Sequence, residues 1–230
     1  MTQQWSRTGR VHPLAVQHLP VWLRPVADVA ATATVDALTR FAPPHGEGRH
    51  SAVLVLFGPD RDILLIRRAS TMRSHAGQPA LPGGALDEAD ESAAHAALRE
   101  ALEETGLDPA GVRVFAELPD LWVPVSDFVV TPILGWWEHP SPIEARDPAE
   151  VASVHLVGID EFLDPANRLQ VVTPSGFVGP AFDVQGLLVW GFTAGLLSRL
   201  FDEVGWTLPW DQTRMVTFDG EAIIDPGAVE

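Results

Sequence analysis

Three glutamates stand at positions i, i+3 and i+4 in an alanine- and leucine-rich segment, Arg99–Leu107 (REALEETGL). This composition favours an α-helix, on which each residue advances by about 100°, so Glu100, Glu103 and Glu104 project from one side. The like charges repel, and they precede Gly106, which we expect to cap the negative C-terminal end of the helix. Stability alone does not select such a cluster, whereas a divalent cation bound by the carboxylates would relieve it. The segment therefore predicts a helix that carries a Mg²⁺ or Mn²⁺ site.

The helix is expected to begin at an N-cap residue, Asp90 or Ser92. We place the glutamates on a face opposite to the one that packs on the core, and we expect that core face to contain Ala94, Leu98, Ala101, Leu102 and Thr105. Before the helix, the sequence Pro82-Gly83-Gly84 predicts a loop in which the backbone bends or approaches a ligand closely.

Together, Gly84, Glu91 and Arg99–Leu107 resemble the Nudix box, G-x5-E-x7-R-E-U-x-E-E-x-G-U, where U is bulky and aliphatic. The spacing from Glu91 to Arg99 agrees with the box. The spacing from Gly84 to Glu91 is one residue longer, and Ala101 is small for a U position. The longer spacing is itself a feature of the coenzyme A pyrophosphatase-like branch of the family.

That branch has a further signature, similar to L-L-x-x-R, then R, H-x-G-Q and F-P-G-G. The chain matches it over residues 64–84, with Leu81 in place of the phenylalanine and with Pro79 after the glutamine. The matching residues are Leu64, Leu65, Arg68, Arg73, His75, Gly77, Gln78, Pro82, Gly83 and Gly84. These departures affect the prediction of the substrate more than the prediction of the reaction class, which depends on the box.

The resemblance implies hydrolysis of a nucleoside diphosphate linked to another group, with Mg²⁺ or Mn²⁺ as cofactor. It implies that Glu100 and Glu104 are direct metal ligands and that Glu103 is a third ligand or holds a metal-bound water. The backbone carbonyl of Gly83 would complete the ligand set.

The resemblance also implies supporting residues: Arg99 would hold the glutamate side chains, and Glu91 would brace the loop. The general base stays open between Glu103, hydroxide formed without a side-chain base, and an acid of the later loop. The loop acids are Glu144, Asp147 and Glu150.

Substrate contacts are expected just before the helix, where arginines suited to phosphate oxygens are clustered. His75 either contacts the substrate or transfers a proton, or it is a hydrogen-bonded loop residue. The candidate substrate-binding residues are Arg67, Arg68, Arg73, His75 and Gly84.

Composition excludes some classes of protein. The net charge of −16 disfavours nucleic-acid binding. The sequence has no cysteine and therefore no disulfide or thiol chemistry. Its longest apolar run is too short for a membrane span, and no signal peptide is evident, so we expect a cytoplasmic protein without membrane or nucleic-acid partners.

Hydrophobic patterns predict strands at residues 51–57, 63–68, 112–118, 128–137, 151–157 and 214–218, a short helix at 159–163 and a long helix at 183–203. Strands with interspersed helices indicate an α/β (α+β) protein with a mixed β-sheet sandwiched between helices, as in the Nudix fold. We divide the chain into an N-terminal helical extension and linker (1–48), a Nudix domain (49–205) and a C-terminal tail (206–230). Three roles stay open for the two terminal segments: covering the core, forming a homodimer contact or capping the pocket.

Two hypotheses for function follow. The first is a metal-dependent pyrophosphohydrolase that cleaves coenzyme A or its derivatives to adenosine 3′,5′-bisphosphate and 4′-phosphopantetheine, with NADH, ADP-ribose or a nucleotide sugar as alternative substrates. The second is a non-catalytic, nucleotide-sensing Nudix module. The intact glutamate set favours the enzyme, whereas the sequence leaves the substrate, the preferred metal and the oligomeric state open.

Overall fold

The computed structural model describes residues 6, 8–39, 41, 48–72, 76–218 and 223–224. The helices of this part, in chain order, are α1 (Pro13–Val16), α2 (Arg24–Thr32), α3 (Val35–Leu38), α4 (Ala93–Thr105), α5 (Ile159–Leu163) and α6 (Gly191–Val204). The strands are β1 (Arg10–Val11), β2 (Arg49–Phe57), β3 (Asp62–Arg68), β4 (Pro79–Ala80), β5 (Gly83–Ala85), β6 (Val112–Glu117), β7 (Leu121–Val123), β8 (Phe128–Trp137), β9 (Val151–Gly158), β10 (Arg168–Val172), β11 (Val178–Val184), β12 (Leu187–Val189), β13 (Met215–Phe218) and β14 (Ile223–Ile224).

The first sheet contains nine of the described strands and is mixed. Its central path is β1-β6-β8-β2-β3-β4, and β5, β7 and β9 pair with β2, β8 and β3 respectively. β2 runs parallel to β8, whereas β3 is antiparallel to β9, with a register shift between Arg67 and Arg68. Five of the six predicted strands belong to this sheet.

Helices cover both faces of the first sheet. Successive residues of a strand point to opposite faces, so one strand contributes side chains to the packing on both. Leu54 and Leu56 of β2 pack in a cluster with α4. Val55 and Phe57 of the same strand belong to the larger core cluster, together with residues of α2, α5 and α6. The predicted arrangement of a mixed sheet between helices is therefore confirmed.

A second sheet, in the order β12-β11-β10-β13-β14, was predicted only in its strand β13, at residues 214–218. Part of it occupies residues 183–190, where we expected the start of a long helix. Gln185 and Gly186 have positive φ angles of 50° and 73°, and they turn the chain from β11 back into β12. The helix α6 begins only at Gly191. Apolar residues alone did not distinguish two buried strands from a helix.

The terminal segments contribute side chains to the core. Leu19, Leu23 and Val26 are at most 3% exposed and belong to the larger cluster. Near the other end, the side chain of Trp206 is partly buried and packs against the same cluster. β13 then pairs in parallel with β10. Covering the core is thus one function of both segments, while the domain boundaries at 48/49 and 205/206 stay predictions.

Within the described residues, no helix is long and apolar enough to span a membrane.

Candidate active site

Helix α4 has the two caps that its sequence predicts. The Ser92 hydroxyl accepts a hydrogen bond from the His95 amide at 3.1 Å, so Ser92 is the N-cap. Gly106 has φ 70° and donates its amide to the Leu102 carbonyl at 2.8 Å. Because both ends are fixed, the three glutamates lie in the last two turns of a helix with defined bounds.

The buried face of α4 differs from the predicted one. Ala96, Ala97 and Ala101 are fully buried against the sheet, whereas Leu102, which we placed on the core face, is 45% exposed. The helix is therefore rotated so that Glu104 lies on the buried side and is only 5% exposed. Small alanines allow the helix backbone to approach the sheet closely, and this approach encloses the carboxylate.

Glu104 is a buried carboxylate fixed by the backbone of β5. The Gly83 amide donates to Glu104 Oε2 at 3.0 Å. Burial raises the pKa of Glu104 to about 8; Glu100 and Glu150 act in the same direction, while the Gly83 hydrogen bond and Arg68 oppose it. Burial also raises the pKa of Glu100, with Arg99 opposing. These shifts show that both carboxylates occupy a poorly solvated site next to further acidic charge.

The two glycines before the helix form a strand, where we expected a loop, and both approach other groups closely. A methyl group built on Gly83 would lie 2.7 Å from Val53 Cα and closer still to the Ala52 carbonyl oxygen. A methyl group on Gly84 would lie 2.5 Å from the carboxylate carbon of Glu100. The absence of a side chain at these positions brings the strand next to Glu100 and Glu104.

Arg99 connects the acidic residues. Its Nη1 donates to Glu100 Oε1 at 2.8 Å and to Glu103 Oε2 at 3.1 Å. Its Nε and Nη2 donate to the carboxylate of Asp90 at 3.1 and 3.0 Å. The sequence prediction had not given Asp90 this role; the signal that could have found it is its spacing of six residues from Gly84, which is the spacing of the box glutamate.

The two other box residues are more exposed. The Glu103 side chain is 58% exposed and is held by Arg99. Glu91 is also exposed. In the described part of the chain, no three His, Asp or Glu side chains converge into a metal-holding group.

The strand β3 places its two arginines beside different neighbours. Arg68 lowers the pKa of Glu104 and so lies near the carboxylates. Arg67 donates its Nε to the Gly77 carbonyl at 3.3 Å, and, after burial, it is the second cause of the lowered pKa of His155. Of these two arginines, only Arg68 is among the charges that act on Glu104. The candidates Arg73 and His75 lie outside the described residues.

Among the three loop acids, Glu150 is the one that raises the pKa of both Glu100 and Glu104. Its carbonyl accepts a hydrogen bond from the Ala69 amide at 2.8 Å, which fixes the loop to the end of β3. The Glu144 amide donates to Thr105 O at 2.9 Å, and the Asp147 carboxylate accepts from the Ala149 amide. Glu150 is thus the loop acid whose charge acts on both carboxylates.

A cavity of about 550 Å³ lies elsewhere, between α1 and β6. Its lining includes His12, His18, Arg113 and Glu138. None of the predicted site residues lines it, so this cavity is separate from the predicted site. The site is marked instead by the carboxylates, the two glycines and Arg68.

Comparison with known proteins places the sequence of the chain in a family. The sequence profile of the NUDIX domain matches residues 48–173. A protein of Cronobacter sakazakii named uncharacterized Nudix hydrolase NudL is 39% identical over 166 residues, which cover 68% of this chain and 83% of that protein. The protein of the same name from Pectobacterium atrosepticum is 44% identical over 189 residues, or 74% of this chain and 94% of that protein. Among solved structures, the NUDIX domain of Shewanella oneidensis NrtR in complex with ADP ribose is 21% identical, with a TM-score of 0.42 over 56% of this chain and 84% of that one.

Proposed function

The chain belongs to the Nudix family and is a hydrolase of pyrophosphate bonds, and we propose that its substrate is coenzyme A or a derivative. The products would be adenosine 3′,5′-bisphosphate and a 4′-phosphopantetheine compound. Nudix hydrolases generally use divalent metals, and we propose Mg²⁺ or Mn²⁺ held by Glu100 and Glu104.

One observation carries the substrate proposal. The segment that resembles the coenzyme A pyrophosphatase signature, residues 64–84, reaches Glu104 from both of its ends. Gly83 near its C-terminal end donates to Glu104 at 3.0 Å, and Arg68 near its start lowers the pKa of the same carboxyl. A segment in this position is able to contact a diphosphate bound at the glutamates, which supports a role in choosing the substrate.

The side chains fit a hard divalent cation in the chemistry of their donors. All the candidate ligands are oxygen atoms, which Mg²⁺ and Mn²⁺ prefer. One oxygen of Glu100 is held by Arg99 and one oxygen of Glu104 by Gly83. In the described part of the chain, the second oxygen of each carboxylate makes no hydrogen bond, so one oxygen of each is held and the other is free to bind a cation.

We assign the remaining roles from position. A bound divalent cation supplies charge neutralisation for the diphosphate and a more nucleophilic water. Arg68 binds a phosphate oxygen, and Arg99 holds Glu100 and Glu103 in orientation. Among the loop acids, Glu150 is our candidate for the general base, because its charge raises the pKa of both Glu100 and Glu104.

Mass spectrometry of reaction products tests the substrate. The pure protein is incubated with Mg²⁺ or Mn²⁺ and with coenzyme A, acetyl-coenzyme A, NADH, ADP-ribose and nucleoside triphosphates, each separately. We expect adenosine 3′,5′-bisphosphate from coenzyme A and its acetyl derivative, with slower cleavage of the others. Faster cleavage of NADH or ADP-ribose would contradict the substrate while keeping the reaction class.

Replacing Arg68 by alanine is expected to raise KM more than it lowers kcat. A charge-assisted hydrogen bond to a ground-state phosphate contributes about 1.5–3 kcal/mol, which corresponds to a rise of about 10- to 100-fold. Steady-state kinetics with coenzyme A measure both constants.

The comparison variant is Arg67→Ala, which removes the same charge from the neighbouring position of β3. We expect a smaller rise in KM, because Arg67 lies with Gly77 and His155. A larger effect at Arg67 than at Arg68 would show that the substrate phosphate binds beside Gly77 and His155 instead.

A further inference from the structure

Two neighbouring acidic residues lie just before α4. The box requires one spacing from its glycine to its glutamate and another from this glutamate to its arginine, and each of the two residues satisfies one of them. Asp90 has the expected distance in sequence from Gly84, whereas Glu91 has the expected distance from Arg99. The sequence alone favoured Glu91 as the supporting residue. The contacts of the two side chains distinguish them.

Asp90 forms a two-point contact with Arg99. Both of its oxygens accept from the guanidinium, at 3.1 and 3.0 Å, in the planar geometry that suits arginine and a carboxylate. The Asp90 side chain is 1% exposed. Asp90 Oδ2 also accepts the Asp87 amide at 2.8 Å, and Oδ1 lies 3.2 Å from His95 Nδ1. Enclosure and several donors fix this carboxylate in one orientation.

Glu91 has none of these features. The residue is exposed, and its side chain makes no hydrogen bond or ion pair within the described residues. Its backbone amide points to His95 Nδ1 at 3.4 Å. The box glutamate of this chain therefore does not touch Arg99.

The remaining atoms of Arg99 reach the site itself. Nη1 holds Glu100 and Glu103, and Nη2 also donates to the Ala85 carbonyl at 3.1 Å. Ala85 ends β5, the strand that carries Gly83 and Gly84. Fixing the guanidinium plane thus fixes the helix glutamates relative to the glycine strand.

We propose that Asp90, rather than Glu91, is the positioning residue of this active site: it anchors Arg99 and through it sets the orientation of Glu100 and Glu103. The inference rests on the proposed metal-binding role of the glutamates. Asp90 touches neither substrate nor reacting atoms, so its effect is transmitted entirely through Arg99.

Mn²⁺ binding, followed by the electron paramagnetic resonance signal of the free ion, tests the proposal without any substrate. Asp90→Asn replaces one acceptor oxygen by an amide that faces the guanidinium. We expect Mn²⁺ binding to weaken by about 10- to 100-fold, as for partners that support metal ligands. We also expect kcat to fall while KM for coenzyme A changes less. Glu91→Gln tests the competing residue and should weaken Mn²⁺ binding far less. Glu88→Gln, at an exposed position of the preceding loop, controls for the loss of one negative charge.

A double-mutant cycle on the metal-free protein separates this inference from the proposed function. Urea unfolding of wild type, Asp90→Asn, Arg99→Gln and the double variant should show coupling of about tenfold in the unfolding equilibrium constant. The same cycle with Glu91→Gln should show almost none. Coupling of Arg99 to Glu91 instead of Asp90 would overturn the inference. Failure of the wild type to bind Mn²⁺ would overturn the proposed metal site, and the cycle would still show which acidic residue anchors Arg99.

Discussion

Glu104→Gln is expected to fold normally and to lose most of its hydrolytic activity. The amide keeps the size of the side chain and an oxygen that can accept the Gly83 amide, and a neutral group costs less to bury than a carboxylate. It removes a charged ligand of the proposed cation. Since supporting residues alone change metal affinity or activity by about 10- to 100-fold, we expect kcat to fall by about 100-fold or more.

Steady-state kinetics at saturating Mg²⁺ and thermal unfolding of the same preparation measure the two effects separately. Glu88→Gln serves as the control, because Glu88 is exposed and lies before the helix. A Glu104→Gln protein that kept the wild-type rate with a bound cation would remove Glu104 from the site.

Alanine at Gly83 and alanine at Gly84 are expected to fail in different ways. At Gly83 the added methyl would meet the backbone at Val53 Cα, 2.7 Å away, and at the Ala52 carbonyl oxygen. Backbone of a paired strand cannot move aside easily, so the free energy of unfolding should fall by about 3 kcal/mol or more. That is a large part of the usual total of about 5–15 kcal/mol.

At Gly84 the added methyl would meet the end of the flexible Glu100 side chain, 2.5 Å away. The fold should tolerate this change because Glu100 can turn away, but the displaced carboxylate should lower activity by about 100-fold. Urea unfolding and kinetics on both variants check the contrast. The interpretation of this strand would be wrong if Gly84→Ala were as active as wild type or if Gly83→Ala were as stable as wild type.

The sequence predicted those parts of the molecule that depend on local rules. The caps of α4 follow from Ser92 and Gly106, and five of the nine strands of the first sheet follow from their apolar runs. The family and the reaction class follow from the spacing of the box residues. In each case neighbouring residues in the chain determine the result.

Other features depend on contacts between distant segments, which spacing does not specify. The hairpin at Gln185 and Gly186 interrupts a pattern that is equally apolar for strand and helix. The rotation of α4, which buries Glu104 and exposes Leu102, is set by the sheet beneath it. The choice between Asp90 and Glu91 depends on where the guanidinium of Arg99 lies, and only three-dimensional coordinates show this.

The alanines under α4 have a consequence for the way mutational data on this protein are interpreted. Ala96, Ala97 and Ala101 are fully buried, so at these three positions the helix presents only methyl groups to the sheet. A larger residue there would lift the helix and carry Glu100 and Glu104 away from the glycine strand. A scan of variants scored only by turnover would therefore rank these three positions with the catalytic ones, although their side chains face the sheet and never meet a substrate.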